Sequence, residues 1–225
     1  MLGEKDFDAW ADSYEASVER SEEEGSYPFA GYERVVSTIE RRVLAAKART
    51  VLDVGFGTGV LTSRLYDSGC EVWGQDFSGR MVELAQARMP DAHLFQGDFS
   101  EGVVDELRGR RYDAVVATYS LHHLDDVRKV DLLRELAGLL AEGGHVYVGD
   151  VAFESRDALE ACRAQAGELW DGDEVYFVRD ELTDDLPGLT FERMSPCAAV
   201  LTLGTVAATA PRQVDFQPQR NALSR

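Results

Sequence analysis

The chain has 225 residues, of which 44% are hydrophobic, and this length and composition favour one sizeable folded α/β domain over a disordered chain. Its 41 acidic and 23 basic residues give a formal net charge of −18, which repels nucleic-acid phosphates and anionic lipid. No apolar run approaches the roughly 20 residues that span a bilayer, and the N-terminus lacks the basic start and apolar stretch of a signal peptide. We therefore expect a cytoplasmic protein that binds neither nucleic acid nor membrane.

The cysteines and histidines indicate neither a disulfide framework nor a metal site. The three cysteines are far apart, and none forms a CxxC pair. The four histidines show no i, i+4 spacing, which is the helical pattern of paired metal ligands. We expect reduced, structural cysteines and no bound metal.

Two apolar helices are predicted before the first strand. Within residues 4–25, apolar side chains recur at helical spacing ahead of an acidic loop. Pro28 is a typical first residue for the second helix, whose apolar positions run from Tyr32 to Leu44. We interpret residues 1–48 as a helical cap over the active site.

From residue 50 onward, strand and helix patterns alternate. Ser78 is a candidate N-cap for one of the helices, and a helix is predicted from Arg156 to about Trp170. Repeated strand–helix units of this kind build a doubly wound parallel sheet. The five predicted strands cover residues 50–55, 71–76, 93–98, 112–120 and 145–153.

The rhythm changes after residue 188. Two strand patterns, 189–194 and 197–203, are separated only by Ser195 and Pro196, and so short a connection requires an antiparallel hairpin. The expected fold class is therefore α/β: a Rossmann-like, doubly wound, seven-stranded sheet, mostly parallel, in a single domain of residues 1–204. Residues 205–225 lack periodicity and indicate a tail, or an arm on a neighbour in a homodimer.

The stretch "VLDVGFGTGV", residues 51–60, places three glycines where the first strand of the alternating region meets a helix. Glycine at such a turn lets a ligand approach bare backbone. A P-loop is excluded because the turn has no lysine, and a dinucleotide fingerprint would need its third glycine at position 60, where Val60 stands. The third glycine is instead Gly59, which completes a GxGxG pattern with Gly55 and Gly57.

This stretch resembles the first motif of the class I S-adenosylmethionine-dependent methyltransferases, an acidic residue followed by GxGxG. The resemblance extends over roughly residues 5–203 and includes "YDAVVATYSLHHL" and the closing hairpin. It implies S-adenosylmethionine as cofactor, held at the acid Asp53 and the three glycines. Tyr14 matches an aromatic position that covers the cofactor, and Thr118 places backbone near its methionine part.

Acidic residues end all three of the first consecutive strands. Asp53 lies in the first, Asp76 ends the second and Asp98 ends the third. In the family that the chain resembles, the acid at the Asp76 position accepts hydrogen bonds from the ribose hydroxyls. Asp98 matches the residue that accepts from the adenine amino group, and Phe77 and Phe99 match the apolar positions that sandwich the adenine.

The loop after the fourth strand is predicted to supply the acceptor side. Tyr119, His122 and His123 follow that strand and are expected nearest the transferred methyl group. A histidine there could act as general base, which makes His122 the candidate catalytic residue. However, "HHL" is frequent among family members with unrelated acceptors, and packing or capping of the following helix is the alternative role. The acids of residues 171–188 either meet a cationic acceptor or form a solvated loop.

The function predicted from the sequence is methyl transfer from S-adenosylmethionine to a small molecule, by in-line displacement in a closed pocket. The acidic charge and the predicted helical cap argue against a nucleic-acid substrate. Two alternatives stay open at this point. One is a non-catalytic protein that binds S-adenosylmethionine, and the other is an NAD-dependent oxidoreductase, against which Val60 and the final hairpin count.

Overall fold

The computed structural model describes residues 26–204. The helix predicted within residues 4–25, the cofactor-covering Tyr14 and the tail at 205–225 lie outside the described residues, so these interpretations stay predictions.

The described part contains eight strands and seven α-helices. The strands are β1 (Thr50–Val54), β2 (Glu71–Asp76), β3 (His93–Gln96), β4 (Tyr112–Thr118), β5 (Leu140–Phe153), β6 (Phe177–Val178), β7 (Thr190–Arg193) and β8 (Ala198–Gly204). The helices are α1 (Tyr32–Ala45), α2 (Val60–Asp67), α3 (Gly79–Arg88), α4 (Asp105–Arg108), α5 (Asp126–Gly138), α6 (Arg156–Ala166) and α7 (Arg179–Leu182).

The sheet has the strand order β3-β2-β1-β4-β5-β8-β7. The first five strands of this order run parallel, whereas β8 pairs antiparallel with both β5 and β7. The predicted seven-stranded, mostly parallel sheet with a C-terminal antiparallel hairpin is therefore confirmed. In addition, the two-residue strand β6 pairs with the end of β5, a feature that the sequence pattern did not indicate.

Several predicted boundaries differ from the structure. Pro28 does not open a helix: it lies in a turn, and α1 begins at Tyr32 after Gly31, whose left-handed backbone ends that turn. Strand β5 begins at residue 140 rather than 145, because the segment after α5 pairs with the start of β4 across an irregularity. The helix predicted to reach Trp170 ends at Ala166 and continues only as a 3-10 turn.

Helices cover both faces of the sheet and create two apolar layers. One layer joins the sheet to α1, α2, α3 and α6, and the other joins it to α4 and α5. Helix α1 packs closely on β5, since a Cβ on Gly149 would lie 2.3 Å from a methyl of Val35. Among the helices of residues 26–204, none has the length and apolar character needed to cross a membrane.

Candidate active site

The glycine turn joins the end of β1 to the start of α2. All three glycines have positive φ angles, +74° at Gly55, +56° at Gly57 and +83° at Gly59. A Cβ on Gly55 would lie 2.5 Å from Cβ of Ser120, so the turn touches the chain that leaves β4. A Cβ on Gly57 would meet nothing within 4 Å among the described residues, so bare backbone there faces open space.

Asp76, at the end of β2, is directed toward this turn. One carboxylate oxygen accepts a hydrogen bond from the backbone N–H of Gly57 at 2.8 Å, and the other accepts from the N–H of Ser78 at 2.9 Å. Ser78 in turn caps α3, as the sequence predicts, by accepting from the Met81 N–H. The structure therefore brings Asp76 and Gly57 together at the carboxyl edge of the sheet.

Asp53 lies beneath the turn and is almost fully buried. The Thr62 hydroxyl donates to its Oδ2 at 2.6 Å, whereas its Oδ1 has no hydrogen-bond partner within residues 26–204. Burial, together with the charge of Asp76, raises the pKa of Asp53 to about 7. A buried acid with an unsatisfied oxygen indicates a site that favours a positive charge nearby.

The third acid and the two phenylalanines lie around the same edge. Asp98 is exposed and accepts from the Ser100 N–H at 2.8 Å, which caps the short 3-10 helix Phe99–Glu101. The Phe99 ring lies over the glycine turn, 3.3 Å from where a Cβ on Gly55 would be. Phe77 is half-buried. Asp98 lies two residues beyond β3 rather than on its last residue.

The chain leaving β4 forms the other side of the site. Thr118 is the last residue of β4, and Ser120 donates from its hydroxyl to the Val54 carbonyl at 3.1 Å, which ties β4 to β1. Tyr119 has a positive φ of +49° and is buried against the rings of Phe29 and Tyr32. Tyr119 therefore lies under α1, where the predicted helical cap meets the sheet.

His122 is held by a buried acid from β5. The Asp150 carboxylate accepts from the backbone N–H groups of Leu121 and Val151 and lies 2.6 Å from Nδ1 of His122. Because the carboxylate acts as an acceptor, Nδ1 carries the proton and Nε2 points away from Asp150. Burial alone would lower the pKa of His122, but the carboxylates of Asp150 and Glu174 outweigh it and the pKa is raised.

His123 and Glu174 complete this polar cluster. Oε1 of Glu174 lies 3.5 Å from Nε2 of His122 and 3.9 Å from Nδ1 of His123. Oε2 of Glu174 accepts from the Tyr176 hydroxyl at 2.7 Å, and that hydroxyl also bonds to Tyr27. Burial and the neighbouring His122 lower the pKa of His123 to about 3, while burial raises the pKa of Glu174.

The sequence analysis missed Asp150, Glu174, Tyr176 and Tyr27. Asp150 had a signal, since it is the one charged residue within the apolar strand pattern "HVYVGDVAF". Glu174 had none, because it lies in the acidic stretch 171–188 and reaches the histidines only through the fold. Part of that stretch is ordered against the sheet as β6 and α7, so the solvated acidic loop that the sequence suggested describes it incompletely.

Comparison with known proteins identifies the family. A methyltransferase domain model matches residues 51–144. An uncharacterized methyltransferase of Anoxybacillus flavithermus is 32% identical over 183 residues, which cover 81% of this chain and 83% of the relative. The chain belongs to the class I S-adenosylmethionine-dependent methyltransferases. An uncharacterized methyltransferase of Geobacillus sp. (strain WCH70) is 36% identical over 79% of this chain and 84% of its own length.

Solved structures of methyltransferases share the fold. The magnesium protoporphyrin IX methyltransferase of Synechocystis with bound SAH has a TM-score of 0.60 at 20% identity, over 77% of this chain and 83% of that one. The DhpI–SAH complex has a TM-score of 0.61 at 22% identity, over 88% of this chain and 93% of that one. Family membership makes the protein an enzyme that uses S-adenosylmethionine and decides against the NAD-dependent oxidoreductase.

Proposed function

We propose that the protein transfers the methyl group of S-adenosylmethionine to a small-molecule acceptor, with the cofactor in the glycine turn and the acceptor beside the loop that follows β4. The observation that carries this proposal is the pairing of open backbone at Gly57 with the carboxylate of Asp76, 2.8 Å from the Gly57 nitrogen. Bare backbone next to a carboxylate suits a ligand that carries hydroxyl groups.

The residues around the turn fit this cofactor. S-adenosylmethionine supplies, when bound, an electrophilic methyl group on a sulfonium leaving group. Asp76 would accept from the ribose hydroxyls, and Asp98 with Phe77 and Phe99 would hold the adenine. Buried Asp53, with its unsatisfied oxygen, would stabilise the positive charge of the methionine part. The glycines and Thr118 would supply the backbone contacts.

The positions of the residues that follow β4 support the proposed binding place of the acceptor. Tyr119, His122 and His123 follow β4 directly, and the polar cluster around Glu174 borders them. Asp150 fixes the His122 ring, so that Nε2 is a basic or ligating nitrogen at a set place on the acceptor side. Burial of His122, and of Tyr119 under α1, supports a closed pocket, which suits a small molecule better than a macromolecule.

Calorimetric titration of S-adenosylmethionine into the full chain, with NAD as comparison, tests the cofactor assignment. We expect saturable binding of S-adenosylmethionine and none of NAD. Asp76→Ala should weaken cofactor binding at least tenfold because the ribose loses its acceptor. Asp67→Ala, which removes an exposed acid at the end of α2, is the matched control and should leave the affinity unchanged.

The outcomes separate the parts of the proposal. Unchanged affinity in folded Asp76→Ala would refute the ribose assignment alone. Binding of NAD in preference to S-adenosylmethionine would refute the cofactor site. If the cofactor binds, a screen of hydroxyl, amine and thiol compounds with tritiated methyl donor then tests the small-molecule acceptor.

A further inference from the structure

We propose that His122, His123 and Glu174 form a binding site for one divalent transition-metal ion, for which Zn²⁺ is the probe, with an open coordination position for the acceptor. The metal site itself is independent of the proposed function, whereas the role of the ion toward the acceptor rests on it. The site also departs from the sequence analysis, where histidine spacing gave no sign of a metal.

The ligand atoms lie at separations that one ion can span. One ligand atom each of His122, His123 and Glu174 lies within 4.8 Å of the other two, and no other such group of three occurs in residues 26–204. Nitrogen and oxygen ligands lie about 2.0–2.2 Å from zinc, so two ligands of a tetrahedron are about 3.4 Å apart. The distances from Glu174 to the two nitrogens, 3.5 and 3.9 Å, need only small adjustments.

The hydrogen bonds around His122 and Glu174 leave two acceptor atoms facing each other, an arrangement that a cation between them would stabilise. Since the Nδ1 proton of His122 is directed at Asp150, neutral His122 presents a lone pair from Nε2. That lone pair faces a carboxylate oxygen of Glu174, which is also an acceptor. Two acceptors at 3.5 Å repel each other unless a proton or a metal ion lies between them. A metal ion between these two atoms would remove the repulsion and would lie within reach of His123 as well.

The surrounding residues supply the outer support that metal ligands need. Metal-bound histidines commonly donate their second ring N–H to a carboxylate, as His122 does to Asp150. Glu174 is likewise oriented, because its second oxygen accepts from Tyr176 at 2.7 Å and leaves the first directed at the histidines. The cluster is thus a two-histidine, one-carboxylate set, which leaves a position open for water or substrate.

Some charges near the cluster favour a bound cation, and one disfavours it. Asp150 and Glu174 favour a cation, and Asp171 adds further negative charge. The buried ammonium of Lys129 opposes it, but Lys129 is bonded to Asp126 and to the Val175 carbonyl. The nearby acids therefore outnumber the one opposing ammonium.

A bound ion would select acceptors that carry a hydroxyl or thiol group. Coordination would lower the pKa of such a group, so that its proton is released to solvent. A remaining lone pair of the oxygen or sulfur would then form the bond to the methyl carbon as the methyl–sulfonium bond breaks and S-adenosylhomocysteine leaves. Acceptors without a ligating atom would gain nothing from the ion. The inference thus adds a substrate class to the proposed function.

Zinc titration of the full chain, first freed of metal with a chelator, tests the site. We expect about one equivalent of tightly bound Zn²⁺, and titration with Co²⁺ should give the visible absorption of a four- or five-coordinate site. Glu174→Gln and His123→Gln should each weaken zinc binding at least tenfold. Asp173→Asn and His145→Gln, which alter an acid and a histidine outside the cluster, should leave it unchanged.

A second measurement addresses the ring of His122. In nitrogen-15 spectra of the histidine side chains, zinc should move the Nε2 resonance of His122 while Nδ1 keeps its proton. Zinc binding that is equal in wild type and Glu174→Gln would overturn the proposal, as would a His122 that titrates as an imidazolium and ignores zinc. Calorimetry with S-adenosylmethionine on the same samples separates this failure from failure of the cofactor site.

Discussion

The two halves of the candidate site are built in different ways. The cofactor side combines backbone, in a glycine turn and helix starts, with acids that lie at or near the ends of neighbouring strands. The acceptor side uses buried and half-buried side chains from distant parts of the chain, with Asp150 from β5 and Glu174 from the segment before β6. The first half can be recognised from local spacing, whereas the second exists only after the sheet has formed.

The difference predicts where substitutions act on folding and where they act on ligands. On the cofactor side, backbone space decides the outcome, because the same chemical change meets packed atoms at one glycine and open space at another. On the acceptor side, the loss of buried charge decides the effect of a substitution. The predictions that follow probe these two causes in turn.

The largest effect is expected for Gly55→Ala. The new methyl group would lie 2.5 Å from Cβ of Ser120, and the residue would keep a φ of +74°. Overlap and strain together should lower the free energy of unfolding by about 3 kcal/mol, as measured by denaturant titration. Gly188→Ala is the matched control: its φ is +91° but no described atom lies within 4 Å, so it should cost only about 1 kcal/mol.

Asp150→Asn should destabilise the acceptor side while sparing the cofactor side. The substitution removes the negative charge that holds His122. It also directs the new NH₂ group toward one of the two backbone N–H groups that now donate to Asp150. We expect the free energy of unfolding to fall by about 1–3 kcal/mol, with S-adenosylmethionine affinity within twofold of wild type. Zinc affinity should fall roughly 10–100-fold, the usual effect of losing an outer carboxylate.

The control for Asp150→Asn and the result that would contradict the prediction are read from the binding of zinc and S-adenosylmethionine. Asp173→Asn removes a nearby exposed acid and should change neither stability nor zinc affinity. A large loss of cofactor affinity in Asp150→Asn would show that the two halves of the site are coupled, against the comparison drawn above.

The contrast also explains what the sequence could predict. Strand–helix alternation and the short Ser195–Pro196 connection are local patterns, and they were enough to predict the sheet. The GxGxG turn is also a local pattern, and the place that it gives the cofactor stays a prediction. Strand β6 could not be predicted, because a two-residue strand has no periodicity and depends on the edge that β5 offers. Glu174 could not be assigned either, since its spacing from His122 is set by the tertiary fold.

Gly57→Ala should leave the fold intact and weaken binding of the cofactor. No described atom lies within 4 Å of the new Cβ, so the positive φ of +56° is the main cost, about 1 kcal/mol of unfolding free energy. The methyl group would occupy the space in which the cofactor approaches the backbone, and calorimetry should show at least tenfold weaker binding. Retained affinity would place the cofactor elsewhere on this edge.

The mildest perturbation, which replaces no residue, is a change of pH acting through Asp53. In the free protein burial raises its pKa to about 7, so a large fraction of Asp53 is protonated below that pH. A cation bound in the turn would favour the ionised form, so binding should release a proton below pH 7. Affinity for S-adenosylmethionine should therefore rise by up to about tenfold per pH unit as the pH increases toward 7, and level off above it.

Calorimetry in two buffers of different ionisation enthalpy measures that proton directly. At pH 6 the apparent binding enthalpy should differ between the buffers, and at pH 8 the difference should shrink. Asp53→Asn has no titrating carboxyl, so its affinity should vary less with pH even if it binds more weakly throughout. An equal pH dependence in Asp53→Asn would assign the linked proton to another group, and the buried acid would then act only through its bond from Thr62.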